Sequence, residues 1–150
     1  TGVVLAEIYD STPTADYVAA TPRLINVSAR TQVGTGGEIL IAGFVIGGTT
    51  AKTVLVRAIG PTLGGFGVSG ALADPKLELF AGATKINDND NWGGSPALTT
   101  AFSAVAAFPL VATTRDAVLL LTLAPGSYTA QISGVNNTTG VALVEVYEVP

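Results

Sequence analysis

The stretch Ala117–Ser133, AVLLLTLAPGSYTAQIS, decides the fold class because it holds two strand-like runs separated by a turn. Apolar, aromatic and β-branched residues fill Ala117–Leu123 and Tyr128–Ser133, and such runs bounded by Gly and Pro are typical of β-strands. In Ala124–Ser127, Pro presets the first turn position and Gly accepts the positive φ, which predicts a hairpin. Ala117–Leu121 is apolar at every position, which predicts a strand covered on both faces.

Runs of the same kind recur along the whole chain, with Gly, Pro, Asn and Thr between them. This density predicts an all-β fold, a jelly-roll-like β-sandwich of about nine strands with one short helix or ordered loop. The helix is predicted over Ala97–Phe108, with Ser95 as N-cap and Pro96 at the first helical position. The other predicted strands are Val3–Tyr9, Arg23–Ala29, Glu38–Val45, Thr53–Ile59, Lys76–Phe80, Thr84–Asn87 and Val141–Tyr147.

The length of 150 residues predicts one domain, or one domain with an extra arm. We assign residues 1–10 to an N-terminal strand or arm, residues 11–22 to a Thr-, Ala- and Pro-rich linker, and residues 23–150 to the sandwich. The chain contains no Met, which indicates a processed chain or an excised piece.

The composition excludes several classes of function. Without His or Cys, the chain cannot form Ser–His or Cys–His nucleophile pairs, nor His/Cys sites for zinc, copper, haem or iron–sulfur clusters. A net charge of -4 with seven Lys and Arg argues against nucleic-acid binding. No apolar run approaches the roughly 20 residues of a membrane span. Phosphate-loop and Gly-x-Ser-x-Gly patterns are also missing from the sequence, and we do not expect an enzyme.

The most informative feature is a repeat at the two ends of the chain. Residues 1–10 are TGVVLAEIYD and residues 139–148 are TGVALVEVYE, so that six of the ten positions are identical. In one interpretation, the two copies are ordinary strands paired side by side in one sandwich. In the other, the chain is one period of a repeating structure, either cut from a tandem array or joined head to tail with identical chains.

A terminal strand that pairs with a neighbouring subunit would satisfy the unpaired N–H and C=O groups of a sheet edge. Such a contact is heterologous and propagates into an open filament unless it closes a ring. Because Glu7, Asp10, Glu145 and Glu148 lie on the repeated strands, we expect them to face solvent or to block an edge. The residues predicted to carry intersubunit pairing are Val3, Leu5, Glu7, Tyr9, Val141, Leu143, Glu145 and Tyr147.

Two resemblances extend this picture. Asp74–Gly94 followed by Asp116–Val135 resembles the bacterial pre-peptidase C-terminal type of β-sandwich, where an Asn/Asp-rich turn precedes a Leu-Pro-Ala-Gly-like hairpin. The chain also looks like a repeat of large secreted bacterial surface proteins, which implies an extracellular location and a structural or adhesive role. That second resemblance lies in Arg23–Ser28, Leu40–Gly48, Val54–Leu63, Asn89–Gly93 and Gly140–Tyr147.

A cluster of oxygen ligands is a candidate Ca²⁺ site, because Ca²⁺ takes six to eight oxygens and alternate loop positions point the same way. In some sandwiches that this half resembles, such loops hold Ca²⁺. The alternative is an Asx-rich turn that caps its own backbone. Trp92 next to this cluster is either a stacking platform for a sugar or a plug over the end of the sandwich. The cluster is Asn87, Asp88, Asn89, Asp90 and Asn91.

Three Asn-x-Ser/Thr sequons begin at Asn26, Asn136 and Asn137 and are candidate glycosylation sites. Taken together, the sequence predicts a structural subunit of an extracellular bacterial filament or tandem surface array. Its partners would be copies of itself or neighbouring repeats, and no cofactor is expected unless the Asn/Asp cluster binds Ca²⁺. The alternative is a Ca²⁺- or carbohydrate-binding accessory or adhesion module of a secreted protein.

Overall fold

The computed structural model describes residues 2–18 and 20–150, and it shows two four-stranded antiparallel sheets packed face to face. This confirms the prediction of an all-β sandwich with one short helix. The strands are β1 (Asn26–Val33), β2 (Leu40–Ile46), β3 (Lys52–Ile59), β4 (Pro75–Ala81), β5 (Thr84–Asn89), β6 (Ala117–Leu123), β7 (Gly126–Gly134) and β8 (Gly140–Val149), and the helix α1 is Pro96–Ala104.

The strand order is β1-β8-β3-β6 in the first sheet and β2-β7-β4-β5 in the second. Within the described residues, β4 and β5 are the only consecutive strands that share a sheet, and Gly82 at φ 57° allows the tight turn between them. Every other connection crosses from one sheet to the other. Residues that are close in sequence therefore lie in different layers, and the two ends of the sandwich chain, β1 and β8, pair with each other.

Two expectations from the sequence are corrected here. The hairpin predicted at Ala124–Ser127 does not form, because β6 pairs with β3 while β7 pairs with β2 and β4 in the other sheet. A Pro-Gly turn reverses the chain locally, but it does not determine which sheet the next strand joins. The predicted strand Val3–Tyr9 is also missing from the sheets, so the described residues contain eight strands rather than about nine.

The main core lies between the two sheets and is aliphatic. Strands of both sheets alternate, so that every second side chain points inward. Phe44 and Tyr128 close one end of this core as a stacked pair with ring centroids 5.6 Å apart. The fully buried members include Val33, Leu77, Leu79, Ala130, Ile132 and Ala142.

A third layer covers the outer face of β8, β3 and β6 in the first sheet, while that of β1 stays exposed. Here α1 and the loops around it pack Trp92 and Phe102 against Leu55 and Val118 of the sheet. Strand β6 contributes side chains to both the main core and the third layer, so it is covered on both faces, as its apolar sequence predicts. The helix begins at Pro96 as predicted and ends four residues earlier than expected, since Ala106 adopts a left-handed backbone with φ 54°.

Candidate assembly site

Strand β8, the C-terminal copy of the repeat, occupies the centre of its sheet between β1 and β3. Glu145 lies opposite Ser28 on β1 and opposite Arg57 on β3. We call the place between β1 and β3 the β8 site. Since both neighbours of β8 belong to the same chain, the C-terminal copy has no free edge of its own.

The β8 site begins at a close backbone contact that only glycine permits. The backbone of Leu72 passes Gly140 so tightly that a Cβ at this position would lie 2.7 Å from both Cα and N of Leu72. Two hydrogen bonds hold this contact, from Leu72 N to Val141 O and from Val141 N to Gly70 O, each 2.8 Å long. The glycine of the repeat therefore has a structural role at its C-terminal copy.

An ion pair is buried on the outer face of the β8 site. Arg57 is 0% exposed, and its Nε lies 3.2 Å from Oε2 of Glu145 without the geometry of a hydrogen bond. Its Nη1 donates a 3.0 Å hydrogen bond to the carbonyl oxygen of Phe108. The guanidinium also stacks against two rings, 4.7 Å from the centroid of Phe102 and 4.3 Å from that of Phe108. The helix layer thus closes over a charge that β8 neutralises.

Tyr147 completes this outer cluster, which consists of Arg57, Phe102, Phe108, Glu145 and Tyr147. The Tyr147 hydroxyl donates a 2.7 Å hydrogen bond to Oε1 of Glu145. Burial, together with this bond to a carboxylate, raises the pKa of Tyr147 to about 12. Burial lowers the pKa of Arg57, and the attraction of Glu145 opposes that effect. Glu145 itself is 6% exposed, so its expected role at the solvent or at a sheet edge is wrong.

The N-terminal copy of the repeat, residues 1–10, is called the N-terminal arm here, and Thr1 lies outside the described residues. Residues 2–10 take part in neither sheet and are largely exposed, with Val3 at 92%, Leu5 at 80% and Tyr9 at 78%. The two copies are therefore not paired side by side in this chain. The Tyr9 hydroxyl donates a 2.8 Å hydrogen bond to Oε1 of Glu7, which repeats the Tyr147–Glu145 bond and raises the pKa of Tyr9.

Whether a position is identical in the two copies depends on the face of β8 to which it belongs. From the third residue of the repeat onward, every identical position belongs to the outer face, which packs under the helix layer. The inner face, which packs in the main core, is apolar in both copies and differs in side-chain size. The outer-face pairs are Val3 with Val141, Leu5 with Leu143, Glu7 with Glu145, and Tyr9 with Tyr147.

Glu148, the acidic residue near the end of β8, has one basic partner just before β1 and another at the start of β3. Glu148 accepts hydrogen bonds from Arg23 and lies 3.0 Å from Nζ of Lys52. The hydrogen bond from Arg23 is the main cause of the lowered pKa of Glu148. The repeat places Asp10 at the corresponding position of the arm, so the charge is retained in both copies.

The first three residues of the Asn/Asp cluster end β5, and hydrogen bonds join the cluster to itself and to β6. Asn87 Oδ1 accepts from Asp88 N at 2.9 Å, and Asn89 Oδ1 accepts from Val118 N at 3.0 Å. Asp88 is paired with Lys85 at 3.2 Å, while Asp90 lines a shallow depression with Asp88 and a second lysine, Lys76. Among residues 2–18 and 20–150, no group of three or more acidic side chains is arranged to hold a metal ion.

Trp92 lies in the third layer and is 5% exposed. Its Nε1 donates to the carbonyl oxygen of Val111 at 3.1 Å, and its ring lies 5.5 Å from that of Phe102. Because neighbouring side chains cover the indole, it has no free face for a sugar. The indole packs in the layer on the outer face of the sheet, and not over the end of the sandwich as the second alternative from the sequence had it.

The sequon asparagines lie on the surface. Asn26 is the first residue of β1 and donates a 3.1 Å hydrogen bond to the carbonyl oxygen of Val146. Asn136 and Asn137 are exposed in the turn before β8 and have left-handed backbones, with φ of 55° and 59°. Asn tolerates this conformation better than most residues, which gives both positions a conformational role.

Sequence reasoning missed two charged residues that organise the structure. Arg57 stands out only as a charge inside the apolar run VLVRAI, at a position that alternation places on the solvent side. Asp116 is 0% exposed, and its carboxylate accepts hydrogen bonds from Gly60 N at 2.8 Å and from the Thr62 hydroxyl. It thereby anchors the turn after β3 at the start of β6.

In the part of the chain that the structure describes, no helix is long and apolar enough to cross a membrane. Comparison of the chain with protein-family models, with curated proteins and with solved structures finds no match.

Proposed function

We propose that this chain is a structural module of an extracellular bacterial surface array or filament, in which copies of the module follow one another head to tail. One observation carries the proposal. The N-terminal arm repeats β8 from Gly140 to Glu148, with four outer-face residues of that strand unchanged, yet residues 2–10 take part in neither sheet of their own chain. A segment that has the sequence of a strand but no sheet partner in its own chain is expected at the boundary of one period of a repeating structure.

Burial of the exposed arm would be energetically favourable. Val3, Val4 and Leu5 are 92%, 87% and 80% exposed, and Leu5 and Val4 would point to opposite faces of a strand. Burying an aliphatic side chain of this size is worth roughly 1.5–3 kcal/mol. An arm that is apolar on both faces therefore favours a site covered on both faces rather than addition to an open sheet edge.

The spacing of the two copies supports a module repeated along the chain. Thr139 corresponds to Thr1, so the period is 139 minus 1, or 138 residues, which is one β1-to-β8 sandwich with its linker. Because β8 already fills its own site, covalently linked modules account for the arm without displacing any strand. Assembly of separate chains through the arm is the filament form of the same proposal.

The fold suits a building block. The strand pairs β1–β8, β2–β7, β3–β6 and β4–β5 are those of one long hairpin rolled into two sheets, and we assign this arrangement to the jelly-roll topology. The chain has 12% charged residues and no sulfur-containing side chain, which fits an inert material. The resemblance to repeats of secreted bacterial surface proteins supports the extracellular location.

Electron microscopy of the native material tests this function. We expect regular rows or fibres built from particles of one sandwich each, and isolated particles in the native material would contradict the proposal. In the filament form, removal of residues 1–10 should leave soluble single modules, and assembly of separate chains that is undiminished without residues 1–10 would contradict that form.

The alternative function, a Ca²⁺- or carbohydrate-binding accessory module, has weaker support from the geometry. Its ligands would be Asn87–Asn91 and Trp92, but the side chains of Asn87 and Asn89 are hydrogen-bonded to backbone groups, Lys85 pairs with Asp88, and the indole is covered. Calorimetry with Ca²⁺ and with a panel of glycans would distinguish the two functions. A response that Asp88→Ala and Asp90→Ala abolish would favour the accessory module.

A further inference from the structure

We propose that residues 2–10 are a second β8 strand, built to lie in the β8 site of another copy of the module, with Glu7 against that copy's Arg57. This inference rests on the proposed head-to-tail function and names the surface that joins the copies. Within the chain itself the site is filled by Gly140–Val149, so the acceptor is a copy whose own β8 is missing or released.

The outer face of the arm matches what the β8 site demands chemically. Arg57 is fully buried against two aromatic rings, and a strand in this site must supply an anion at one position. Glu7 occupies that position of the repeat. Tyr9 already donates to Glu7 as Tyr147 does to Glu145, so the arm carries the acid and its hydrogen-bond donor together.

The inner face of the arm fills nearly the same volume as that of β8, with the side-chain sizes in a different order. Val4 stands where β8 has Ala142, and Ala6 stands where β8 has Val144, so a larger and a smaller residue exchange places. Cores tolerate substitutions that conserve volume far better than single changes of size. Ile8 adds one methylene at the third inner position.

Nothing around Gly2 in the described part of its own chain requires a glycine at that position. A Cβ at Gly2 would meet no atom within 4 Å among the described residues, whereas a Cβ at Gly140 would collide with the backbone of Leu72. Transfer of the arm into a β8 site would place Gly2 against that backbone. The requirement for glycine at Gly2 thus arises in the acceptor copy.

A graft tests whether the arm fits the site. Four substitutions in the full chain, Ala142→Val, Val144→Ala, Val146→Ile and Glu148→Asp, convert β8 into the sequence of the arm. We expect the graft to lower the thermal unfolding midpoint less than Val144→Ala alone, because Ala142→Val refills the cavity. A loss equal to or larger than the sum of the four single variants would overturn the proposal.

Disulfide trapping between two chains tests occupancy of the site. The chain has no cysteine, so each variant carries one thiol. The acceptor lacks residues 1–10, has its own β8 blocked by Gly140→Val, and carries Ala29→Cys. The donor is otherwise wild type with Ala6→Cys, because Ala29 lies opposite Val144, the counterpart of Ala6.

On mixing, we expect a disulfide between donor and acceptor, and addition of Gly2→Val to the donor should abolish it. Lack of the disulfide, or a disulfide that Gly2→Val leaves unchanged, would overturn the proposal. Where Gly140→Val prevents the acceptor from folding, the graft decides alone.

Arrays that form normally with Gly2→Val in the arm would contradict this site and leave the proposed function intact. A disulfide between donor and acceptor, together with native material that forms no arrays, would support this site and contradict the proposed function.

Discussion

Arg57 and Glu145 form an ion pair of 3.2 Å on the outer face of the β1-β8-β3-β6 sheet, where the side chain of Arg57 is 0% and that of Glu145 is 7% exposed. The pair links the strand that closes the sandwich to the strand beside it. The arm repeats Glu145 as Glu7, and in the proposed assembly Glu7 would form the same pair with Arg57 of another module.

Removal of one partner of this pair should be strongly destabilising. Arg57→Met leaves the carboxylate of Glu145 buried without its cation, and we expect a loss of about 3–5 kcal/mol in the free energy of unfolding. The double variant Arg57→Met/Glu145→Gln should lose less than the two single variants together, as measured by urea denaturation. Arg115→Met is the control, because Arg115 is 65% exposed where it pairs with Asp74 and should cost about 1 kcal/mol or less. Additive losses at Arg57 and Glu145 would contradict the coupling.

The hydroxyl of Tyr147 should make the fold sensitive to alkali. Its pKa is about 12 in the folded chain against 10.0 ordinarily, so the folded state retains this proton where the unfolded state has lost it. The contribution is complete below pH 10 and is lost as the pH rises from 10 to 12. Unfolding free energies measured across this range should fall less steeply in Tyr147→Phe than in the wild type. Identical slopes would refute this assignment.

Asp116 should be essential for the turn that follows β3. Asp116→Ala leaves Gly60 N and the Thr62 hydroxyl without their acceptor, and each hydrogen bond to a charged group is worth about 1.5–3 kcal/mol. We expect the urea midpoint to fall well below that of Asp90→Ala, which changes an exposed carboxylate. Equal midpoints for the two variants would show that the buried carboxylate does not anchor the turn.

The two glycines of the repeat should differ in their tolerance of a side chain. Gly140→Val forces a Cβ into the backbone of Leu72 and should destabilise the single module severely, whereas Gly2→Val should leave its melting temperature unchanged. Both variants have the same chemistry, so each serves as the control for the other. A drop in melting temperature for Gly2→Val would mean that the arm already packs within its own module.

Calcium should have little effect on this chain. Lys76 and Lys85 lie beside Asp88 and Asp90, and their ammonium groups oppose a divalent cation at the same carboxylates. We expect the thermal midpoint to be the same in millimolar Ca²⁺ and in chelator. A rise with Ca²⁺ that Asp88→Ala removes would support the alternative function.

Much of the architecture was predictable because the sandwich strands have local signals. The apolar runs Thr53–Ile59 and Ala117–Leu123 are strands in the structure, and the unbroken apolar run of β6 indicated cover on both faces. The order of strands was not predictable in the same way. At Ala124–Ser127 the turn was recognised, but membership of a sheet depends on distant partners, so the hairpin prediction was wrong.

The repeat also shows that sequence alone does not tell which of two similar segments forms a strand. Residues 2–10 and 140–148 have nearly the same strand propensity, yet only the second segment lies in a sheet, because β1 and β3 offer one place for two candidate strands. Glu145 resembled a surface residue since its partner Arg57 lies 88 positions away, the difference between 145 and 57. Which of two similar segments joins the sheet depends on the connectivity of the chain, which no local sequence pattern records.

Hydrogen exchange of a two-module chain, residues 11–138 followed directly by residues 1–150, tests head-to-tail joining most directly. In this chain the arm follows a β7 strand, as β8 does in the single module. We predict that the amides of residues 3–9 at the junction become as strongly protected as those of residues 141–147, while they exchange rapidly in the single chain. Rapid exchange at the junction in both chains would contradict the account.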